Sequence, residues 1–119
     1  MNIELLREYI LSKNHVTEDM PFGPDVICFR VCGKIFALMP IDVDPSRVNL
    51  KCNPDRVEEL RAEFSCVLPG YHMNKKHWNT VLLAEDATWK LIKELVNHSY
   101  DLIFKSLSKK VKAEFNIND

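Results

Sequence analysis

VICFRVCGKIFALM, residues 26–39, is the stretch on which the fold pivots. Two runs of β-branched, aromatic and aliphatic residues flank Cys32-Gly33, and glycine supplies the positive φ that a two-residue hairpin loop requires. With Cys32 and Gly33 as the loop residues, Phe29 faces Phe36 and Ile27 faces Leu38, giving one face of the hairpin two stacked apolar cross-strand pairs. That face is expected to be core. Cys28 and Cys32 fall off it, in parity with Arg30, and four residues along an extended strand separate their Cα atoms by roughly 13 Å, too far for a disulfide.

Upstream, HVTEDMPFGPD at 15–25 breaks any period with Pro21, Gly23 and Pro24 and reads as a loop. Before it, Ile3, Leu6, Tyr9 and Ile10 share one stripe at helical spacing, with Glu4, Arg7 and Glu8 off it, which predicts a first helix over residues 3–12. Downstream, a connector from Pro40 to Pro45 leads to RVNLK, 47–51, where Val48 and Leu50 alternate with Arg47, Asn49 and Lys51. This is a third strand with one buried face and one polar, basic face. In NPDRVEELRAEF, 53–64, Asn53 is placed to cap a helix, Pro54 suits its first position, and Val57, Leu60 and Phe64 form the inward stripe. After Pro69-Gly70, HWNTVLLAED returns to strand composition, and Asp86 is placed to cap a long helix from Ala87 to about Phe104. The basic tail SLSKKVKAEF continues as a short helix. The order predicts one α+β domain over 1–119, a mainly antiparallel sheet with packed helices.

Sixteen Lys and Arg against 17 Asp and Glu leave a net charge of −1, so no whole-molecule field draws the protein to nucleic acid or anionic lipid. Any polyanion contact must come from a patch. The first residues, MNIELLREYILSKN, lack the basic segment and apolar run of a secretory signal, and no run approaches the ~20 apolar residues of a membrane span. The expectation is a cytoplasmic protein without membrane association, its cysteines reduced and mostly buried.

The four cysteines and four histidines invite two chemical readings. Zinc would need Cys66, His72 and His77, or Cys28 and Cys32, to converge, yet no C-x-x-C or H-x-x-x-H pair nucleates such a site. A nucleophilic Cys52 or Cys66 with a histidine base lacks any accompanying motif, and three glycines do not make a phosphate-cradling loop. Neither metal nor catalysis is expected.

The segment GYHMNKKHWNT, 70–80, is more informative: it carries cations, amides and rings but no acidic residue. His72, Asn74, Lys75, Lys76, His77 and Asn79 combine cations for phosphate with hydrogen-bonding groups for phosphate or base edges, and Tyr71 and Trp78 offer stacking surfaces. Arg47, Asn49 and Lys51 on the open face of a neighbouring strand extend that surface, while Lys105, Lys109, Lys110 and Lys112 form a separate basic patch. The structural alternative is that Tyr71 and Trp78 are core, that Asn74 and Asn79 satisfy a turn, and that the lysines are a solvated tip.

PFGPDV at 21–26, FRVCGKIFAL at 29–38, RVNLKCNP at 47–54, PGYHMNKKHWNTV at 69–81 and HSYDL at 98–102 together resemble the MmcQ/YjbR family of small bacterial proteins, nearly end to end. The resemblance implies an α+β domain with a double-wing DNA-binding motif, a fold also likened to the frataxin-like one, in proteins usually described as DNA-binding. Pro21, Phe22, Gly23, Lys51, Gly70, Tyr71, His72, Met73, Asn74, Lys75, His77, Trp78 and Asn79 match its pattern, whereas no fixed cysteine is expected at Cys28, Cys32 or Cys66. The acidic surface of iron-handling relatives is not matched by Glu4 and Glu8 around Arg7. The resulting expectation is a non-enzymatic, cofactor-free DNA-contacting domain using Arg47, Asn49, Lys51, His72, Asn74, Lys75, Lys76, His77 and Asn79, with Trp78 anchoring the loop to the core. The competing expectation is a small-anion or protein-interaction module in which the PFGPD loop and the 70–80 loop converge.

Overall fold

A computed structural model describes residues 1–70 and 73–117. In chain order its elements are α1 (Ile3–Leu11), β1 (Val16–Asp19), β2 (Val26–Val31), β3 (Lys34–Pro40), β4 (Arg47–Lys51), α2 (Pro54–Glu63), β5 (Val67–Pro69), β6 (Trp78–Leu82), α3 (Trp89–Ser106) and α4 (Lys109–Glu114). The six strands form one sheet in the order β1-β2-β3-β4-β6-β5, every neighbouring pair antiparallel. The α+β architecture expected from the sequence is the one observed.

The β2–β3 hairpin turns at Cys32-Gly33, both with positive φ (49° and 83°), the conformation a two-residue loop needs to match strand twist. Its register differs from the expected one. Arg30 pairs with Ile35, but Phe29 pairs with Ala37 and Ile27 with Met39, so Phe36 is an extra residue, a β-bulge. The expected Phe29–Phe36 and Ile27–Leu38 pairs are therefore absent. Phe36 and Ala37 both turn inward, and beyond them Met39 joins the core while Leu38 and Pro40 take the opposite face.

The long helix α3 holds this irregularity in place. Ser99, fully buried, donates its hydroxyl to the Phe36 carbonyl at 2.6 Å, and the Phe36 ring meets Tyr100 edge-on at 5.7 Å. A carbonyl released from the strand ladder by a bulge needs such a partner when it is buried. Ser99→Ala should therefore lower stability by about 1–3 kcal/mol, read as a shift in the urea midpoint without a change in slope.

One face of the sheet is the core. Phe29, Val31, Met39, Val48, Leu50 and Val81 pack there against Leu6 and Ile10 of α1 and Ile92, Val96 and Ile103 of α3. Helix α3 lies across β2, β3 and β4, while α1 touches β1 and α2 touches β5. Among the described residues the other face has no helix over its centre, and it carries Val26, Leu38, Arg47, Asn49, Lys51, Trp78 and Thr80.

Two edge strands stand where the sequence read as loop. Strand β1, VTED, alternates half-buried and exposed residues and is tied down by Arg7–Glu18 and Arg30–Asp19 ion pairs. Strand β5 is three residues long and ends on Pro69. Short, charged or proline-ended strands suit an edge and give almost no periodic signal.

Helix α2 begins as expected, with the Asn53 side chain accepting from the Asp55 N–H. Phe64, expected in its inward stripe, packs against the core as expected but as the extended residue at the helix's C-terminal end. Helix α3 begins two residues later than expected and is capped by Thr88, whose hydroxyl accepts from Leu91 N–H at 3.1 Å. Asp86, expected to be that cap, accepts instead from the backbone N–H groups of Ser65 (3.0 Å) and Cys66 (2.8 Å), fastening the α2–β5 turn. Local desolvation opposes the Asp86 charge, but these donors outweigh it and lower its pKa.

Candidate functional site

The 73–78 loop is built by its own asparagine and by one arginine of α2. Asn74 Oδ1 accepts from Lys76 N–H at 2.9 Å, and the Asn74 carbonyl accepts from the N–H groups of His77 and Trp78. This is an Asx-type turn, so Asn74 serves the loop backbone. Arg61 then holds the loop to α2: its Nη2 donates to the carbonyls of Lys75 (2.5 Å) and Trp78 (3.1 Å), and its Nε to Asn79 Oδ1 (2.7 Å). The carbonyl of His77 accepts from Cys52 N–H at 2.8 Å.

Pairing fixes which face each residue serves. Leu50 pairs with Asn79 and Val48 with Val81, so Asn79 points to the core side, where it is 2 % exposed. Asn79 is thus a packing and positioning residue, and its expected place in a nucleic-acid surface is corrected. Lys51 pairs with Trp78, Asn49 with Thr80 and Arg47 with Leu82, which puts Arg47, Asn49, Lys51, Trp78 and Thr80 on the open face, while Leu82 at the strand end packs against the core. Trp78 does not join the core cluster as expected; it is half-buried on the open face, with Lys51 Nζ 5.7 Å from its ring centroid. His72, with Tyr71, lies outside the described residues.

The cations of the expected site divide. Lys75 and Arg47 line one concavity of about 340 Å³ with Leu68, Pro69 and Thr80, on the open face. Lys75 and Lys76 line another, facing α2, together with Arg61 and the carboxylates Asp55 and Glu58. Among the described residues, Arg47, Lys51, Lys75 and Lys76 form no ion pair. Lys75 therefore belongs to a positive surface shared with Arg47, while Lys76 sits nearer to partly compensating charge.

A third concavity, of about 540 Å³, opens on the same sheet face. Phe22 from the 21–25 loop and Met73 from the 73–78 loop both line it, together with Leu38, Arg47, Asn49 and Thr80. The two loops thus share one concavity. Sequence reading found both loops but not Leu38 or Val43, because the bulge that turns Leu38 outward has no signature in composition.

The thiols are placed against nucleophilic chemistry. All four cysteines are free and buried, and burial pushes each thiol up, Cys66 to about 12 with the neighbouring Asp86 carboxylate adding to the effect. His98 moves the other way, held low by burial and by Arg56, and its Nε2 accepts from Asn53 N–H at 3.1 Å. Among the described residues no three His, Cys, Asp or Glu side chains gather as a metal set, and no helix is long and apolar enough to cross a membrane.

Residues 11–102, which hold the hairpin, both loops and most of α3, match the YjbR family model. The chain belongs to the YjbR family. It is 37 % identical over 90 residues to YbdF of Escherichia coli O157:H7, covering 76 % of this chain and 74 % of that protein. It is 31 % identical over 100 residues to YjbR of Escherichia coli K12, covering 84 % and 85 %. Among solved structures, Deinococcus radiodurans protein DR2400, described with a DUF419 domain, superposes with a TM-score of 0.87 at 36 % identity, over 99 % of this chain and 90 % of that one. A Pseudomonas syringae protein superposes with a TM-score of 0.73 at 32 % identity, over 86 % and 98 %. The YjbR match spans PFGPDV and the 70–80 motif alike, the two segments that contribute Phe22, Val26, Met73 and Thr80 to the concavity.

Proposed function

We propose that this YjbR domain is a cytoplasmic, non-enzymatic protein that contacts DNA through phosphates, using Arg47, Lys51, Lys75 and Lys76. The observation that carries the reading is the disposition of these four cations on and beside one helix-free sheet face, with no carboxylate bonded to any of them among the described residues. His77 stands beside them, Asn49 adds an amide on the same face, and His72 extends the set by its place in the motif. Raised thiols support the non-enzymatic part, since none is a thiolate at neutral pH.

Four neutralised phosphates give a slope of about −3.6 for log K against log salt, and non-specific affinity of about 10⁻⁴ to 10⁻⁶ M at physiological salt. Anisotropy of a labelled duplex measured across salt concentrations tests this. The double variant Lys75→Ala, Lys76→Ala should bring the slope to about −1.8. A slope near zero in the unaltered protein removes the proposal.

A further inference from the structure

We propose that the 540 Å³ concavity on the open sheet face is a binding site for a small amphipathic anion, a molecule with an apolar body and one carboxylate, sulfonate or phosphate group. This goes beyond phosphate contact by the loop lysines. The volume falls within the range of small-molecule sites, about 300–1,000 Å³. Its walls are apolar: Phe22, Val26, Leu38, Val43 and Met73. Two of them, Phe22 and Val43, are large hydrophobic residues left 66 % and 39 % exposed at the same place. Pro21 and Pro24 restrict the backbone on either side of Phe22-Gly23.

The polar end of the cavity is equally specific. Among the described residues Arg47 is its one cation and no carboxylate lines it. Arg47 Nε donates to the Pro45 carbonyl at 3.1 Å, which fixes the guanidinium plane, and among the described residues nothing accepts from its terminal nitrogens. A fixed planar fork with free N–H groups is suited to a planar or tetrahedral oxyanion. Beside it, Asn49 Oδ1 is occupied by the Thr80 hydroxyl at 2.5 Å, which leaves the Asn49 amide nitrogen as a further donor. A DNA duplex keeps its bases stacked inside and presents phosphates, and free phosphate has no apolar body at all. An organic acid satisfies both ends.

The test uses 8-anilinonaphthalene-1-sulfonate as the amphipathic anion, N-phenyl-1-naphthylamine as its uncharged counterpart and inorganic phosphate as the bare anion. The sulfonate should bind the folded protein at one saturable site. Arg47→Gln should weaken the sulfonate about tenfold or more while changing the uncharged probe by less than about twofold. Phe22→Ala, a change at an exposed side chain, should weaken both dyes. The Lys75→Ala, Lys76→Ala variant should bind both dyes normally, so this proposal and the DNA proposal fail separately. Non-saturable dye binding, equal sulfonate affinity in the Arg47→Gln variant, or displacement of the sulfonate by inorganic phosphate at comparable concentration each overturns the assignment.

Discussion

Arg61→Ala should cost about 2–4 kcal/mol of stability and release the 73–78 loop. Three acceptors depend on this one guanidinium: Asn79 Oδ1 and the carbonyls of Lys75 and Trp78. Asn79 is 2 % exposed and its Nδ2 already has no acceptor among the described residues, so removal of Arg61 strands the whole amide in the core. Hydrogen bonds to a charged donor are worth more than neutral ones, and a buried acceptor that loses its partner bears the full desolvation penalty. Urea unfolding reads the loss of stability. Hydrogen exchange reads the loop, where the amides of Lys76, His77 and Trp78, now bonded to Asn74, should lose protection. Arg61→Lys retains the charge but not the fork, and should recover less than half of the loss. A midpoint within about 0.5 kcal/mol of the unaltered protein would show that the clamp is dispensable.

Gly70→Ala should cost about 1–3 kcal/mol for a different reason. A Cβ at Gly70 would stand 2.9 Å from both the Cβ and the carbonyl oxygen of Trp78, the same oxygen that accepts from Gly70 N–H. One of these contacts is with backbone, so a rotamer change cannot clear it and the β5–β6 pairing must shift. Gly33 provides the contrast: its φ of 83° demands glycine, yet nothing lies within 4 Å of an added Cβ. The motif thus opens on a glycine because the strands approach closely there. Thermal unfolding of Gly70→Ala should show a melting point several degrees lower, and an unchanged melting point would mean that the sheet edge yields freely.

The sequence made the interior elements legible because they carry strong periodic or capping signals. Asn53-Pro54 announced α2, and the alternation in RVNLK announced β4 together with its basic outer face. Elements at the sheet edges did not announce themselves. VTED is four residues long with two carboxylates, and its pairing with β2 is established by partners that no local window contains. The hairpin position was legible from Cys32-Gly33, but its register was not, since the bulge depends on Ser99, 63 residues away. The α3 boundary was misplaced because two residues near the start, Asp86 and Thr88, can both cap a helix, and tertiary contacts recruited Asp86 elsewhere.

The site was legible as a list of residue types but not as a surface. Pairing of β4 with β6 puts Arg47 and Lys51 on one face and turns Asn79 inward, and Lys75 joins Arg47 at one concavity. Arg61 looked like one more charge on a mixed helix face, and only its distance to three acceptors reveals its work.

Phe36 has a consequence for how the hairpin can vary. The extra residue sets the parity beyond it: with Phe36 kept in an unbulged ladder, Ala37 and Met39 would turn toward solvent and Leu38 and Pro40 toward α3, whereas excising Phe36 removes a ring and leaves both faces as they are. Flattening the bulge is thus the one way this arm can shorten by a residue while the interior and the outer chamber each keep their own side chains.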